Sequence, residues 1–247
     1  LCEMRVSVTG VGGQLGHDVM NVLAARGHEG FGSDIKETYS GIQDGTPVCT
    51  MPYIQADITN PETVAEAIRS CHPDVVVHCA AWTAVDAAED EDKQELVKKI
   101  NADGTRNIAQ VCRELDCKMV YISTDYVFDG QGSEPWDPDS KDYKPLNVYR
   151  DTKLAGELAV SELLEKYFIV RIAWVFGKNG SNFIKTMLRV GKNHDRLTVV
   201  NDQIGTPTYT YDLARLLVDM AETEKYGYYH ATNEGGYISW ADFAAEI

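Results

Sequence analysis

V-T-G-V-G-G-Q-L-G, residues 8–16, is the stretch that decides how this chain is read. It follows a short β-rich run, Arg5–Thr9, and opens a segment, 16–26, with helical apolar spacing that stops at Gly27. Glycines between a strand and a helix have a specific use. Gly10 makes a tight turn, Gly13 lets the backbone approach a diphosphate, and Gly16 lets the helix pack close to the strand. Gln14 and Leu15 complete the turn, and the free N–H groups of the helix start face the same anion.

Outward from this turn, apolar strands alternate with helices. Residues 29–34 read as a strand ending at Asp34, and 36–53 as a polar loop. Residues 61–70 read as a helix capped by Asn60. The continuous apolar run 75–79 is a strand buried on both faces. A long helical stretch over 89–115 has a break near Asp103-Gly104, and a strand over 118–123 follows. A Pro-, Gly- and Asp-rich loop fills 129–146, then come a helix over 148–166 and a strand over 168–174. Helices are expected over 182–190, 211–222 and 239–247, the last capped by Ser239. This alternation predicts an α/β protein, a doubly wound parallel Rossmann sheet with a smaller C-terminal substrate lobe. The Rossmann domain is assigned to 4–174, with helix 205–222 returning to it. Residues 175–204 and 223–247 are assigned to the lobe, which ends inside a helix and reads as cut short.

Asp34 stands 24 positions after Gly10. The acid that reads a ribose stands about 20 residues on. A carboxylate there accepts from ribose hydroxyls and repels a 2′-phosphate, which favours NADH over NADPH. Asp57, next to Ile58, is a candidate for the adenine edge.

Tyr149 and Lys153 are four apart, on one face of a helix. A phenol of ordinary pKa about 10 is a poor acid at neutral pH. A neighbouring ammonium, together with the positive charge of the oxidised nicotinamide, is expected to lower it, so that Tyr149 exchanges a proton with a carbonyl oxygen while Lys153 holds the nicotinamide ribose. Thr124 ends the preceding strand, where ligands of parallel sheets bind, and can donate to the same oxygen.

With 23 basic and 38 acidic residues the net charge is −15, which argues against nucleic-acid and membrane-surface partners. Six cysteines without C-x-x-C spacing read as reduced thiols, with no metal-ligand pattern. Residues 1–4 lack the apolar stretch of a signal peptide, Met4 reads as the native start, and a cytoplasmic protein is expected.

Together these segments resemble the extended short-chain dehydrogenase/reductase family. Within it they are similar to the branch that reduces the 4-keto group of dTDP-linked 6-deoxy sugars with NADH or NADPH. The resemblance is carried by 8–16 and by H-C-A-A-W-T-A-V-D-A-A-E (78–89), N-A-D-G-T-R-N-I-A (101–109) and S-T-D-Y-V-F-D-G (123–130). It continues through V-Y-R-D-T-K-L-A-G-E (148–157), R-I-A-W-V-F-G (171–177), N-F (182–183) and D-Q-I-G-T-P-T (202–208). It implies that Ala80, Ala81 and Thr83 line the cofactor, and that Thr124, Asp125, Trp174 and Asn182 lie near a nucleotide-sugar substrate. For Trp174 and Asn182 the residues alone point to core packing and helix capping. The resemblance leaves room for a homodimer and a Mg2+ ion, with no residue set to place either. Arg150 replaces the Gly expected after Tyr149, Ala87 replaces a Lys, and the chain is shorter than the family's usual length. Two other readings stay open: a nucleotide-sugar epimerase or dehydratase, and a non-catalytic NAD(P)-binding regulatory subunit of the methionine adenosyltransferase type. A dehydratase wants an Asp-Glu pair beside the Thr, whereas Asp125-Tyr126 stands here.

Overall fold

The apolar runs become the centre of one parallel sheet. The computed structural model describes residues 2–247. Its first half contains β1 (Arg5–Thr9), α1 (Gln14–Ala25), β2 (Glu29–Asp34), β3 (Tyr53–Gln55), α2 (Pro61–Cys71), β4 (Val75–His78), α3 (Gln94–Lys98), α4 (Gly104–Leu115) and β5 (Lys118–Thr124). Then follow α5 (Val148–Leu163), β6 (Tyr167–Ile172), β7 (Val175–Phe176), α6 (Phe183–Gly191), β8 (Ile204–Gly205), β9 (Thr208–Tyr209), α7 (Thr210–Ala221), β10 (Gly227–His230), β11 (Ile238–Ser239) and α8 (Trp240–Glu246). The main sheet has seven strands in the order β10-β6-β5-β4-β1-β2-β3, and every pairing is parallel. The order reverses between β1 and β4, so the crevice of a doubly wound sheet opens above that pair.

Side-chain alternation divides the core into two layers. Val75, Val77, Val120, Ile122, Phe168 and Val170 pack with Val19 and Leu23 of α1 and Leu213 and Leu217 of α7. Val76, Met119, Tyr121 and Ile169 face the other way, onto Val64 and Ile68 of α2, Ile108 and Val111 of α4, and Val160 of α5. Asn60 caps α2 by accepting from the Glu62 and Thr63 amides.

Three segments depart from the sequence reading. Residues 36–53 hold a 3-10 turn at Pro47–Cys49, and β3 begins at Tyr53. The 89–115 stretch divides into a 3-10 turn (Asp86–Glu89), α3, a π-turn (Lys99–Asp103) and α4. The expected break near Gly104 is thus a widened turn with no loss of helical path. Finally, β10 lies within the stretch assigned to the lobe, yet pairs with β6 as an edge strand of the main sheet. Four residues are too few for a clear periodic signal; the neighbouring β6 recruits them.

A buried ion pair ties the layers together beside β5. The Arg171 guanidinium donates to Glu157 through Nε (3.1 Å) and Nη2 (2.8 Å), with side-chain exposures of 0% and 1%. Ser123 Oγ donates to the same carboxylate (2.5 Å), and Arg171 Nη1 donates to the Pro138 carbonyl (3.0 Å). One pair therefore joins α5, β5, β6 and the 129–146 loop. Removing one partner strands a buried charge. Glu157→Ala should cost about 3–5 kcal/mol in urea unfolding; a loss below about 1 kcal/mol would show that the pair does not hold these elements.

Candidate active site

The carboxyl ends of β1, β2, β4, β5 and β6 open into a cavity of about 800 Å³. Gly10 turns the chain out of β1 with φ +69°, a conformation that disfavours any Cβ. A Cβ there would also meet the Ala80 backbone nitrogen at 2.6 Å. Gly16 sits against the Gly10 carbonyl and Val11, whose Cα a Cβ would meet at 2.8 Å. Gly13 is the N-cap of α1, and no side chain caps that helix or puts an acid in its first turn. Uncapped N–H groups and the positive end of the dipole suit an anion.

Sixteen of the seventeen residues singled out from the sequence line this one cavity. On the glycine-loop side these are Gly10, Gly13, Gln14, Leu15, Gly16, Asp34, Asp57, Ile58, Ala80, Ala81 and Thr83. On the other side are Thr124, Asp125, Tyr149, Lys153 and Trp174. Asn182 does not line it. Its Oδ1 accepts from the Lys185 amide as the cap of α6, and its Nδ2 donates to Gln14 Oε1 (3.0 Å) and the Gly177 carbonyl (2.9 Å). Asp34 accepts from the Gly12 amide through Oδ2 (2.9 Å) and from Ile35 through Oδ1 (2.8 Å). Asp57 Oδ1 accepts from the Thr59 amide and hydroxyl, so it also forms a turn.

Helix α5 brings Tyr149 and Lys153 to the end of β5. Lys153 Nζ donates to the Ile122 carbonyl (2.7 Å) and stands 4.6 Å from the centre of the Tyr121 ring. Burial pulls its pKa down to about 8, against the partly opposing charge of Glu157. Burial pushes the Tyr149 phenol above its ordinary value, and the nearby Tyr126 and Asp125 act in the same direction. In the protein alone desolvation is the largest cause, and the phenol is raised. Thr124 Oγ1 accepts from the Tyr126 amide (3.1 Å) and lies 3.4 Å from Asp125 Oδ1. Arg150 extends over the Tyr126 ring at 4.2 Å, and its buried Nε has no hydrogen-bond partner among the described residues.

Trp174 forms the cavity wall toward α8. Its φ of +51° is costly for a bulky residue, and its indole stacks on Trp240 with ring centres 3.7 Å apart. Gly205 belongs to the D-Q-I-G-T-P-T segment, and a Cβ there would meet this indole at 2.6 Å. Thr208, from the same segment, donates its hydroxyl to the Ala173 carbonyl (2.6 Å) and its amide to that of Trp174 (3.0 Å).

Several residues the sequence reading passed over hold the site in shape. Thr9 Oγ1 accepts from the Cys79 and Ala80 amides and bonds His78 Nδ1 (2.7 Å), while His78 Nε2 bonds Thr105 Oγ1 (3.0 Å). Burial, with the Lys153 charge, drops the His78 pKa to about 3, so the ring is neutral at pH 7. Asn101, in the π-turn, accepts from the Trp82 amide (2.8 Å) and donates to Thr152 Oγ1 (3.2 Å), joining the 80–83 segment to α5. The available signal was their place inside quoted motifs. Trp240 gave none. Among the described residues, no three His, Cys, Asp or Glu side chains converge to hold a metal ion, and no helix is long and apolar enough to cross a membrane.

The model of the family described as RmlD substrate binding domain matches residues 4–247. The dTDP-4-dehydrorhamnose reductase of Escherichia coli (strain K12) is 39% identical over 250 residues, covering 99% of this chain and 77% of that protein. The enzyme of the same name from Streptomyces griseus is 40% identical over 248 residues, covering 98% and 74%. A crystal structure of dTDP-4-dehydrorhamnose reductase from Bacillus anthracis in complex with NADP superposes with a TM-score of 0.87 at 40% identity, covering 99% of this chain and 79% of that one.

Asp125 is an exposed residue on the cavity wall; desolvation by that wall raises its carboxyl from 3.8 to about 6, an effect that solvent screening reduces, with the Thr124 hydroxyl and Arg150 pulling the other way. The folded protein then binds more protons than the unfolded chain between these two values, so this group's contribution to stability falls as pH rises across that window. Asp125→Asn should flatten the fall in unfolding free energy between pH 3.8 and about 6. An unchanged pH profile would show that solvent screening cancels the shift at Asp125.

Proposed function

The chain belongs to the RmlD family of dTDP-4-dehydrorhamnose reductases, and on that premise we propose that it reduces the 4-keto group of dTDP-4-dehydro-6-deoxy-L-mannose to give dTDP-L-rhamnose. The observation that carries this reading is the single cavity in which the uncapped glycine turn, Thr124, Tyr149 and Lys153 meet. The chain is an NAD(P)-dependent oxidoreductase acting on a nucleotide sugar, as its relatives are.

The residues present fit a nicotinamide dinucleotide. A Cβ at Gly10 would close the cradle, and no side chain competes for the α1 terminus. Gly10, Gly13 and the first turn of α1 would hold the diphosphate, and Asp34 the adenosine ribose. Asp57 and Ile58 would flank the adenine, and Ala80, Ala81 and Thr83 would line the rest. When bound, the nicotinamide supplies the hydride. On the substrate side, Thr124 Oγ1 already accepts from the Tyr126 amide, and its own proton has only a long contact with Asp125. That proton can be donated to the ketone oxygen and steady the negative charge that develops there. Tyr149 is protonated at pH 7 with or without the rise that burial causes, and would give a proton to this oxygen once the oxidised cofactor's charge and Lys153 offset that rise. Lys153 spends one ammonium proton on Ile122 and keeps two for the ribose and the phenol. The Trp174–Trp240 stack would exclude water on the lobe side.

The reading includes residues 175–204 and the chain after β10 as the substrate lobe. NADH is taken as the preferred cofactor because of the Asp34 carboxylate, although the Bacillus anthracis relative was crystallised with NADP. Cytoplasmic residence rests on the unpaired cysteines, and a homodimer on the resemblance alone.

The direct test is oxidation of NADH by the purified chain, supplied with a panel of nucleotide-linked keto sugars. Tyr149→Phe should lower kcat by about two orders of magnitude or more, the scale of general acid catalysis. Unchanged turnover removes Tyr149 from the mechanism. Asp34→Ala should weaken NADH more than NADPH in fluorescence titration; equal losses would show that this carboxylate does not read the ribose.

A further inference from the structure

Asn179 has no role in the chemistry above, yet it is buried and fully bonded. Its Nδ2 donates to the carbonyls of Gly12 (2.8 Å) and Gly13 (2.9 Å), and its Oδ1 accepts from the Ile42 amide (2.9 Å). One side chain thus fastens three segments: the glycine turn, the loop after β2, and the 177–182 loop that leads into α6.

The two carbonyls are not interchangeable decoration. A trans peptide points its C=O and N–H in opposite directions. The Gly13 carbonyl accepts from Asn179 on one side and from the His17 amide of α1. The N–H of the same peptide, that of Gln14, is therefore turned away, toward the cavity that Gly13, Gln14 and Leu15 line. The preceding peptide is fixed at both ends, because Gly12 C=O accepts from Asn179 while Gly13 N–H donates to Gly10 O (3.0 Å). Glycine adopts many backbone conformations, and an unsupported Gly12-Gly13 pair would sample several.

We propose that Asn179 is a positioning residue. It sets the planes of the Gly12–Gly13 and Gly13–Gln14 peptides so that the α1 amides face the cofactor's diphosphate, and it couples that half of the site to the C-terminal lobe. The same loop brings Gly180 and Ser181 to the cavity wall, and Lys178 anchors it to Asp44 (3.0 Å). Placement of the lobe and seating of the diphosphate are then one event. The inference rests on the proposed reading that this cavity binds a nicotinamide dinucleotide.

The test measures dissociation constants for NADH, ADP and adenosine by calorimetry. It uses the wild type, Asn179→Ala and Asn179→Asp. The aspartate is near isosteric and keeps an acceptor for Ile42, but it loses both donors to the glycine carbonyls. NADH and ADP should weaken about tenfold in Asn179→Ala, the scale of one or two lost hydrogen bonds, and at least as much in Asn179→Asp. Adenosine, which has no diphosphate, should change by less than about twofold. Unchanged NADH and ADP affinity in both variants overturns the inference and leaves the proposed function standing. Parallel weakening of adenosine also overturns it, because general loosening of the fold would then be the cause. A wild type that binds neither NADH nor ADP overturns both.

Discussion

The Glu157–Arg171 pair decides where α5 can stand. Neither charge reaches water, and a buried carboxylate or guanidinium without partners costs several kcal/mol. The helix must therefore settle where Glu157 meets Arg171 of β6 and Ser123 of β5 together. Four residues earlier on the same helix, Lys153 reaches the Ile122 carbonyl of that strand. Another turn back is Tyr149. Placing Glu157 thus also places Tyr149 on the wall of the cavity that Thr124, one residue beyond Ser123, lines as well. Gly156 lets the helix come this close, because a Cβ there would press on the Tyr121 hydroxyl and the Asn101 carbonyl.

Desolvation then sets the electrostatics. The same shielding that pulls Lys153 down to about 8 lifts Asp125 to about 6 and raises the Tyr149 phenol. Each shift favours the neutral form, yet at pH 7 Lys153 is still an ammonium and Asp125 still a carboxylate. In the proposed reading, the charge that develops during reduction would be met by directed hydrogen bonds from Thr124 and Tyr149.

Beneath the cavity lies a neutral polar scaffold. Thr9, His78 and Thr105 link β1, β4 and α4, and Asn101 links the 80–83 segment to α5. A buried network of this sort is favourable only when every member is satisfied. These side chains are satisfied by one another, which holds the cavity floor rigid without adding charge.

Local sequence was enough for much of the architecture. The apolar runs of β1, β4, β5 and β6, the Gly10 turn, the Asn60 cap and the spacing of Tyr149 and Lys153 are properties of a few neighbouring residues. Periodicity and backbone freedom act at that range. The short strands β3 and β10 were not legible, because three or four residues carry no period and become strands only when an existing edge offers hydrogen bonds. The same limit applied to the site. Arg171 finds its partners 14, 33 and 59 positions away, and Asn179 finds Gly12 at a separation of 167. The sequence determined which backbone segments could be strand, turn and helix, and which side chains carried hydroxyl, phenol and ammonium groups at suggestive spacings. Only the tertiary structure decided which polar groups meet and lose their water, because hydrogen bonding and desolvation depend on distances that chain order does not contain.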